Sequence, residues 1–446
     1  MSVLSLRSRL TGIDNDAKDL IYQGIRNGQS ITMADAFAVD QYVRNIKRND
    51  AWKYISFFRD FLTVPNLNPN GGPRISFTRA SGATRVNQVG LVETVGVNVP
   101  RFDYDPVTKA AKGLLIEESR TNLFLRSEEF DSAAWNKPGS TITANAIVAP
   151  DGILTGDKIV ATNTLGGHQL NYTISQSGSQ TLSVYAKKGE YSHLYLAFFT
   201  GSSFTTWFNL DSGTVGTVES STTTSITALP DGWYKCSITR NQSTTVAVIG
   251  VSNADNVNSY TGDGVSGIYL WGAQLEVGAF PTSYIPTTSA TVTRAADIAT
   301  IGGNDFKAFY NSSEGSFLFE GTQSQPVAGN FPRLLYITPA EEQQVEGYLS
   351  TTPNLSWRVR NSSAANTQIN LGGYVADSQI KLITTYGQSR ISACVNGSSV
   401  SETAIAGTLN SGNTLNLTLS VTKWYIKKIG FFSKQLSNST IQPLTS

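Results

Sequence analysis

The chain is short of the residue types on which most catalysis depends. Its 446 residues hold two histidines, His168 and His193, and two cysteines, Cys236 and Cys394. Cysteines so few and so far apart exclude a disulfide scaffold and point to folding in a reducing compartment. No Walker loop, His-Glu-x-x-His or Cys-x-x-Cys pattern occurs. No Gly-x-Ser-x-Gly elbow accompanies either histidine. Both lie in strand-like runs, where a hydrogen-bonded or solvent-facing imidazole is the ordinary outcome. Charge is scarce as well: charged residues make up 15%, against ~25% in a typical globular protein. The net charge of +1 supplies no field to draw the chain to nucleic acid or an acidic membrane. Lys187-Lys188 and Lys427-Lys428 are too short to act as basic patches. No apolar run approaches ~20 residues, so no membrane insertion is expected. The opening Met-Ser-Val-Leu-Ser-Leu-Arg-Ser-Arg-Leu lacks the long apolar centre of a signal peptide.

Acids give little more. Glycoside hydrolysis needs two carboxylates about 5–10 Å apart across a cleft. The neighbours Glu117/Glu118 and Glu128/Glu129 point to opposite faces of any strand. Asp263, Glu276 and Glu320, on separate strands, keep a hydrolytic alternative open. Asp255 and Asp263 invite a weak Ca²⁺ reading, but acids beside Gly262 and Gly264 usually cap their own turns. The expectation is a protein that is not an enzyme and carries no cofactor.

What fills the composition instead is Ser, Thr, Asn and Gly, the mark of β-rich, turn-dense surfaces. The length suggests roughly two to four domains. The most informative stretch runs from Ile268 to Pro286. Ile268, Leu270 and Gly272 alternate with Tyr269, Trp271 and Ala273, and both sides are apolar, as in a strand covered on both faces. Gly278 and Pro281 end the ladder. The stretch reads as the closing strand of a sandwich that opens near Leu114, with an exit stapled at Tyr284 and Pro286.

Residues 1–62 read as three helices. Asp14, Thr32 and Asp50 stand at their N-caps, and Gly28 follows the first. The second carries Val39, Tyr42, Val43 and Ile46. The third carries Trp52, Tyr54, Ile55, Phe57, Phe58, Phe61 and Leu62, more aromatic surface than three small helices bury among themselves. It either packs on the next domain or docks on another subunit. Residues 63–112 read as a turn-rich connector with short strands. Residues 113–297 hold strand-like runs at even spacing, and residues 298–446 hold a second set, with a hairpin at Asn396-Gly397 and a terminal helix capped by Ser437. The fold class expected is mainly β, a small helical module followed by two antiparallel, jelly-roll-like sandwiches.

Several strings form a recognisable order: Phe77-Thr-Arg-Ala-Ser-Gly-Ala-Thr84, Pro100-Arg-Phe-Asp-Tyr-Asp-Pro106, Gly113-Leu-Leu-Ile-Glu-Glu-Ser-Arg-Thr-Asn-Leu-Phe124, Ser127-Glu-Glu-Phe130, Tyr269-Leu-Trp-Gly-Ala-Gln-Leu-Glu276, Pro281-Thr-Ser-Tyr-Ile-Pro286 and Thr293-Arg-Ala-Ala-Asp297. Together they resemble modules of virion appendages of tailed bacteriophages, in tail fibres, tail spikes and head fibres. The resemblance covers about half of the chain. It implies a carbohydrate-binding-like sandwich at 113–297 and a concanavalin A-like (laminin-G-like) one at 298–446. It also implies a homotrimer on the virion, made in the host cytoplasm. Virion partners would meet the N-terminal module at Trp52, Tyr54, Phe57, Phe58 and Phe61. Host-surface glycan or protein would meet the sandwiches. Glycan contact asks for aromatic platforms beside amides, and Tyr195, Trp207, Asn209, Tyr348 and Trp357 are the candidates, although a core role is the commoner one for a tryptophan. Two other classes stay open: a purely structural decoration protein and a glycan-cleaving spike.

Overall fold

The computed structural model describes residues 10, 12–26, 33–49, 51–68, 73–219, 221–323, 333–338, 345–349, 354–360, 366–373, 375, 377–405, 412–417 and 423–446. The fold is mainly β, with antiparallel sheets throughout.

The middle sandwich is built from contiguous chain. Its six-stranded sheet runs in the order Thr223–Ala228, Trp233–Asn241, Ser179–Lys188, Gly267–Val277, Leu154–Ala161, Ser140–Val148. Its five-stranded sheet runs His168–Gln176, Thr244–Ser252, His193–Phe199, Ser203–Asn209, Thr214–Val218. Leu182, Val184, Leu196, Phe198, Ile249 and Leu270 fill the space between them. Gly267–Val277 lies inside its sheet and is covered on both faces, as its sequence predicts. Its alternation, however, does not run through. Tyr185 pairs Trp271 while Ser183 pairs Gln274, so a bulge intervenes. Gly272 sits there at φ 60°, a conformation glycine adopts without Cβ strain. Past the bulge Ala273 and Leu275 rejoin the core with Ile268 and Leu270, leaving Trp271, Gln274 and Glu276 on the outer face.

The second sandwich is assembled from two distant segments. One sheet orders Ser401–Ala404, Arg390–Val395, Gln379–Tyr386, Gly315–Gln323, Lys423–Phe432, Ala111–Glu117 and Arg101–Tyr104, with Ile55–Asp60 also on Lys423–Phe432. The facing sheet starts with Ser76–Thr78 beside Ile298–Gly302. Leu114–Ile116, expected to open the middle sandwich, instead pairs with Trp424–Ile426. Residues read as a connector thus supply strands to the last sandwich. Its core joins Phe57, Phe61 and Phe102 from the early segment to Trp357, Trp424 and Phe431 from the late one.

The third helix does not form. Trp52–Tyr54 is a single 3-10 turn and Ile55–Asp60 is a strand. Aromatic and β-branched side chains lose rotamer freedom in a helix and pack well on a pleated surface. Here the strand buries both sides, with Phe57 facing the sandwich core and Phe58 facing Tyr42, their rings stacked at 5.7 Å. Asp14 caps the first helix, Asn15–Arg26, its Oδ1 accepting from the Asp16 amide at 3.0 Å. The predicted caps Thr32 and Asp50, and Gly28, lie outside the described residues. In the second helix, Met33–Arg48, the apolar stripe divides: Val39 and Val43 meet the first helix, while Ile46 and Tyr42 lie on the sheet. Asn396 and Gly397 turn the predicted hairpin at φ 47° and 70°, the left-handed pair of a type I′ turn. The terminal helix, Asn438–Thr445, starts after Ser437, whose hydroxyl bonds the side chains of Ser439 and Thr440 rather than a backbone amide.

Where the chain enters and leaves the middle sandwich, Arg120–Asn122 pairs with Val292–Arg294. Asp297 donates its amide to the Glu117 carbonyl at 2.9 Å. The middle sandwich is therefore an insertion carried on a two-stranded neck.

Candidate binding site

In the five-stranded sheet, alternate residues point away from the core. Tyr195 and Ala197 on one strand, Trp207 on the next, and Val246 and Val248 on the third form a buried apolar patch on that outer face. Tyr195 and Trp207 are cross-strand partners with ring centroids 6.3 Å apart. The Tyr195 ring lies flat because its other neighbour is Gly250, where a Cβ would stand 2.1 Å from the ring's Cζ. Its hydroxyl donates to Gln169 Oε1 at 2.7 Å, and Gln169 Nε2 donates to Asn171 Oδ1 at 2.7 Å. Burial pushes the Tyr195 phenol above its ordinary range, so it stays a neutral donor. Trp207 Nε1 donates to the Val257 carbonyl at 3.2 Å.

Over this patch opens a hollow of about 430 Å³, lined by Gln169, Asn171, Tyr195, Phe199, Thr205 and Asn258 among others. Phe199 is 41% exposed. An apolar floor with amides and hydroxyls at the rim can hold a sugar ring, whose faces are partly C–H and whose edges are hydroxyls. Little charge is present, so discrimination falls to hydrogen bonds.

The candidates read from sequence divide. Tyr195 and Trp207 come together as cross-strand neighbours, buried rather than offered as exposed plates; Tyr195 floors the hollow, and Trp207 packs beside it without lining it. Asn209 accepts from the Asp211 and Ser212 amides, at 2.9 and 3.1 Å, and so shapes a turn. Trp357 is wholly buried in the second sandwich core, and the side chain of Tyr348 lies outside the described residues. Gln169, Asn171 and Phe199 join the site only in the folded sheet. The first two stand between inward Leu170 and His168 or Tyr172, so their outward direction is readable from the alternation.

Among the residues expected to meet the virion, Phe57 and Phe61 are spent in the sandwich core. Tyr54 and Phe58 are half-buried beneath the helices. The Trp52 side chain lies outside the described residues. The aromatic face thus packs on the fold itself, the first of the two readings open from sequence. His168 is buried, with Nε2 3.0 Å from the Tyr260 carbonyl and Nδ1 against the Gly139 carbonyl. His193 is half-buried beside Ser192 Oγ at 3.2 Å, and burial lowers its pKa. Asp263 accepts from the Ser266 hydroxyl and from the Ser266 and Val265 amides of its own turn, which lower its pKa to about 2. Asp255 is bound to Thr217.

The ordered strings meet at the neck. Arg101 bonds Glu117 at 2.8 Å and also Asp297; Arg79 bonds Asp297 at 3.0 Å; Arg294 stands 3.6 Å from Glu117. Ser283 donates both its amide and its hydroxyl to Glu117. All five charged side chains are without solvent exposure. Burial alone would raise the Glu117 pKa, but Arg294 and Arg101 outweigh it and hold the carboxylate well below its usual range. Asn122 stitches the bulge, donating to the Ala273 and Ile285 carbonyls and accepting from the Leu275 and Phe124 amides. Tyr284, the expected staple, bonds Ser127 at 2.6 Å and Glu128 at 2.9 Å. These groups hold one another and present no open chemistry.

No protein-family model and no curated protein matches the chain. Among solved structures it is similar to the binding domain of Paraclostridial Mosquitocidal Protein 1, at 12% identity and a TM-score of 0.29 over 34% of this chain and 43% of that one. The botulinum neurotoxin serotype D binding domain gives 15%, 0.29, 33% and 40%. The Ruminococcus gnavus IT-sialidase CBM40 bound to alpha2,3 sialyllactose gives 10%, 0.26, 30% and 83%. The chain spans about two fifths of the length of the toxin domains it matches. Likeness this distant carries no argument for ligand or activity.

Proposed function

We propose that the chain is a virion appendage of a tailed bacteriophage that binds host-surface glycan through the outer face of the five-stranded sheet. One observation carries the binding half: the open hollow of about 430 Å³ over a floor of Tyr195, Ala197, Val246 and Val248, rimmed by Gln169, Asn171 and Asn258. The phage half rests on the resemblance of the ordered strings. In this reading the protein binds without transforming its ligand, each contact is weak, and copies on the particle, arranged as homotrimers, multiply it. The helical start remains the end nearest the particle. With Phe57 and Phe61 used inside, contact falls to the outer surface of the helices, where Phe37 is 53% exposed.

The test is adsorption of the full purified chain to host cells and to their extracted surface glycans. Saturable binding is expected, lost at least tenfold in Phe199→Ala and Gln169→Ala with melting unchanged. Release of reducing ends would make it a cleaving spike. A chain that binds neither cells nor glycans would be a decoration protein.

A further inference from the structure

A second hollow, of about 300 Å³, lies where the outer face of the six-stranded sheet meets the early strands and the last strand of the second sandwich. That volume is at the lower end of the ~300–1,000 Å³ of ligand pockets. Thr223, Thr227 and Asp377 are exposed, so it opens to solvent on their side. Four basic residues line it, Arg85, Lys112, Lys235 and Lys423, against the acids Asp103 and Asp377.

The charges do not cancel within the wall. Arg85 is taken by Glu93 at 2.6 Å. Asp103 accepts from the Val86 amide at 2.6 Å. Among the described residues Lys423 has a long ion-pair contact, 3.8 Å, with Glu117, which Arg101 and Ser283 already bind, and its Nζ lies 5.7 Å from the centre of the Tyr425 ring. Among the described residues neither Lys112 nor Lys235 has a carboxylate within ion-pair distance. Lys112 Nζ lies 4.0 Å from the centre of the Tyr425 ring, and Lys235 Nζ donates to the Thr282 carbonyl at 2.7 Å. Burying ammonium groups without a directly bonded counter-charge is costly. Burial lowers the pKa of both lysines, Lys235 to about 8, against the pull of Asp103 and other nearby carboxylates. Beside them stands a ladder of hydroxyls from neighbouring strands. Ser225 and Ser237 are cross-strand partners whose hydroxyls bond at 2.7 Å; Thr223 and Thr239 are partners by register, and the Thr239 hydroxyl bonds that of Thr181. Tyr185, Phe280 and Tyr284 add apolar surface.

We propose that this pocket binds an acidic sugar residue, its carboxylate set among Lys112, Lys235 and Lys423 and its hydroxyls against the Thr/Ser ladder. A bare anion would use the lysines alone, and a neutral sugar the ladder alone; the wall carries both. The site is separate from the sheet-face hollow, and neither reading needs the other.

The test is calorimetric titration of the full chain at neutral pH with D-glucuronate, D-glucose and inorganic phosphate. Glucuronate is expected to bind saturably, and glucose and phosphate at least tenfold more weakly. Lys235→Met and Lys112→Met should each weaken glucuronate at least tenfold while the chain stays folded by thermal melting. Lys188→Met, a lysine paired with Asp211 at the surface, should leave it unchanged. No saturable heat with glucuronate, equal binding of glucose or phosphate, or full affinity in both pocket variants would overturn the proposal. This titration reads the pocket, and cell adsorption of Phe199→Ala reads the sheet face, so each can fail alone.

Discussion

The two sandwiches differ in how the chain builds them. The middle one closes on itself between Leu123 and Thr287, and its ends meet at a ribbon. The second needs strands from both sides of that insertion: Lys423–Phe432 is flanked by Ile55–Asp60 and Ala111–Glu117 on one edge and by Gly315–Gln323 on the other. A self-contained unit with adjacent ends can be inserted without disturbing its host. A host split in two must bring distant segments together before its core exists, which costs loop-closure entropy first. The comparison teaches that the early strands belong to the last domain.

Cutting the chain breaks this comparison most sharply. A fragment of residues 120–294 should melt cooperatively, whereas residues 298–446 alone should show no cooperative transition by calorimetry. The latter loses Phe57, Phe61, Phe102, Leu114 and Ile116 from its core. A cooperative melt of 298–446 would mean that the early strands merely decorate it.

Next in size is Arg101→Met, which leaves Glu117 and Asp297 buried with less counter-charge. Removing one partner of a buried pair costs about 3–5 kcal/mol. Urea unfolding should show that loss, and hydrogen exchange should show it at the neck before either core.

Asn122→Ala sharpens the picture from the middle sandwich. The Leu275 and Phe124 amides lose their acceptor, and the bulge loses its stitch. A buried unsatisfied group costs about 1–3 kcal/mol. The effect should appear in melting of the isolated 120–294 fragment, and a neutral result would show that the bulge holds itself.

The smallest effect is in pH, and it has opposite signs in the two places. Glu117 is held below its ordinary pKa in the fold, so its contribution is present above the usual carboxylate range and lost as pH falls through the lowered value. Asp157, in the middle sandwich, is raised by burial to about 6 despite the Asn145 and Phe130 amides. The folded state then binds the proton more tightly, so stability rises as pH falls from about 6 toward the ordinary Asp value of ~3.9. Asp157→Asn should remove that rise in melting temperature, and Glu117→Gln should remove the acid-side loss.

Much of this was legible in order along the chain. The Asn396-Gly397 hairpin, the Asp14 cap and the strand read at Ile268–Glu276 and found at Gly267–Val277 follow from turn chemistry, capping and period. The strand at Ile55–Asp60 was not legible, because an aromatic run buried on both sides carries no periodicity to separate strand from helix. The bulge at Gly272 escaped for a related reason: both faces of the strand are apolar, so a one-residue slip leaves no polar residue misplaced. Tyr195 and Trp207 stand out as aromatics, but only Tyr195 lines the sheet-face hollow, and its partner Gln169 comes, with Asn171, from a strand two places away in the sheet.

By itself the sequence determined the class of structure: scarce charge, turn residues at even spacing and alternating apolar side chains leave a Ser/Thr-rich pair of sandwiches as the way to bury this composition. Tertiary structure alone decided which strands belong to which sandwich, that the ordered strings converge on one buried ion cluster at the neck, and that Lys112, Lys235 and Lys423 share a pocket. The reason is physical: periodicity reports which face of a strand is buried, whereas pairing between strands hundreds of residues apart depends on which edges and charges fit when the chain closes.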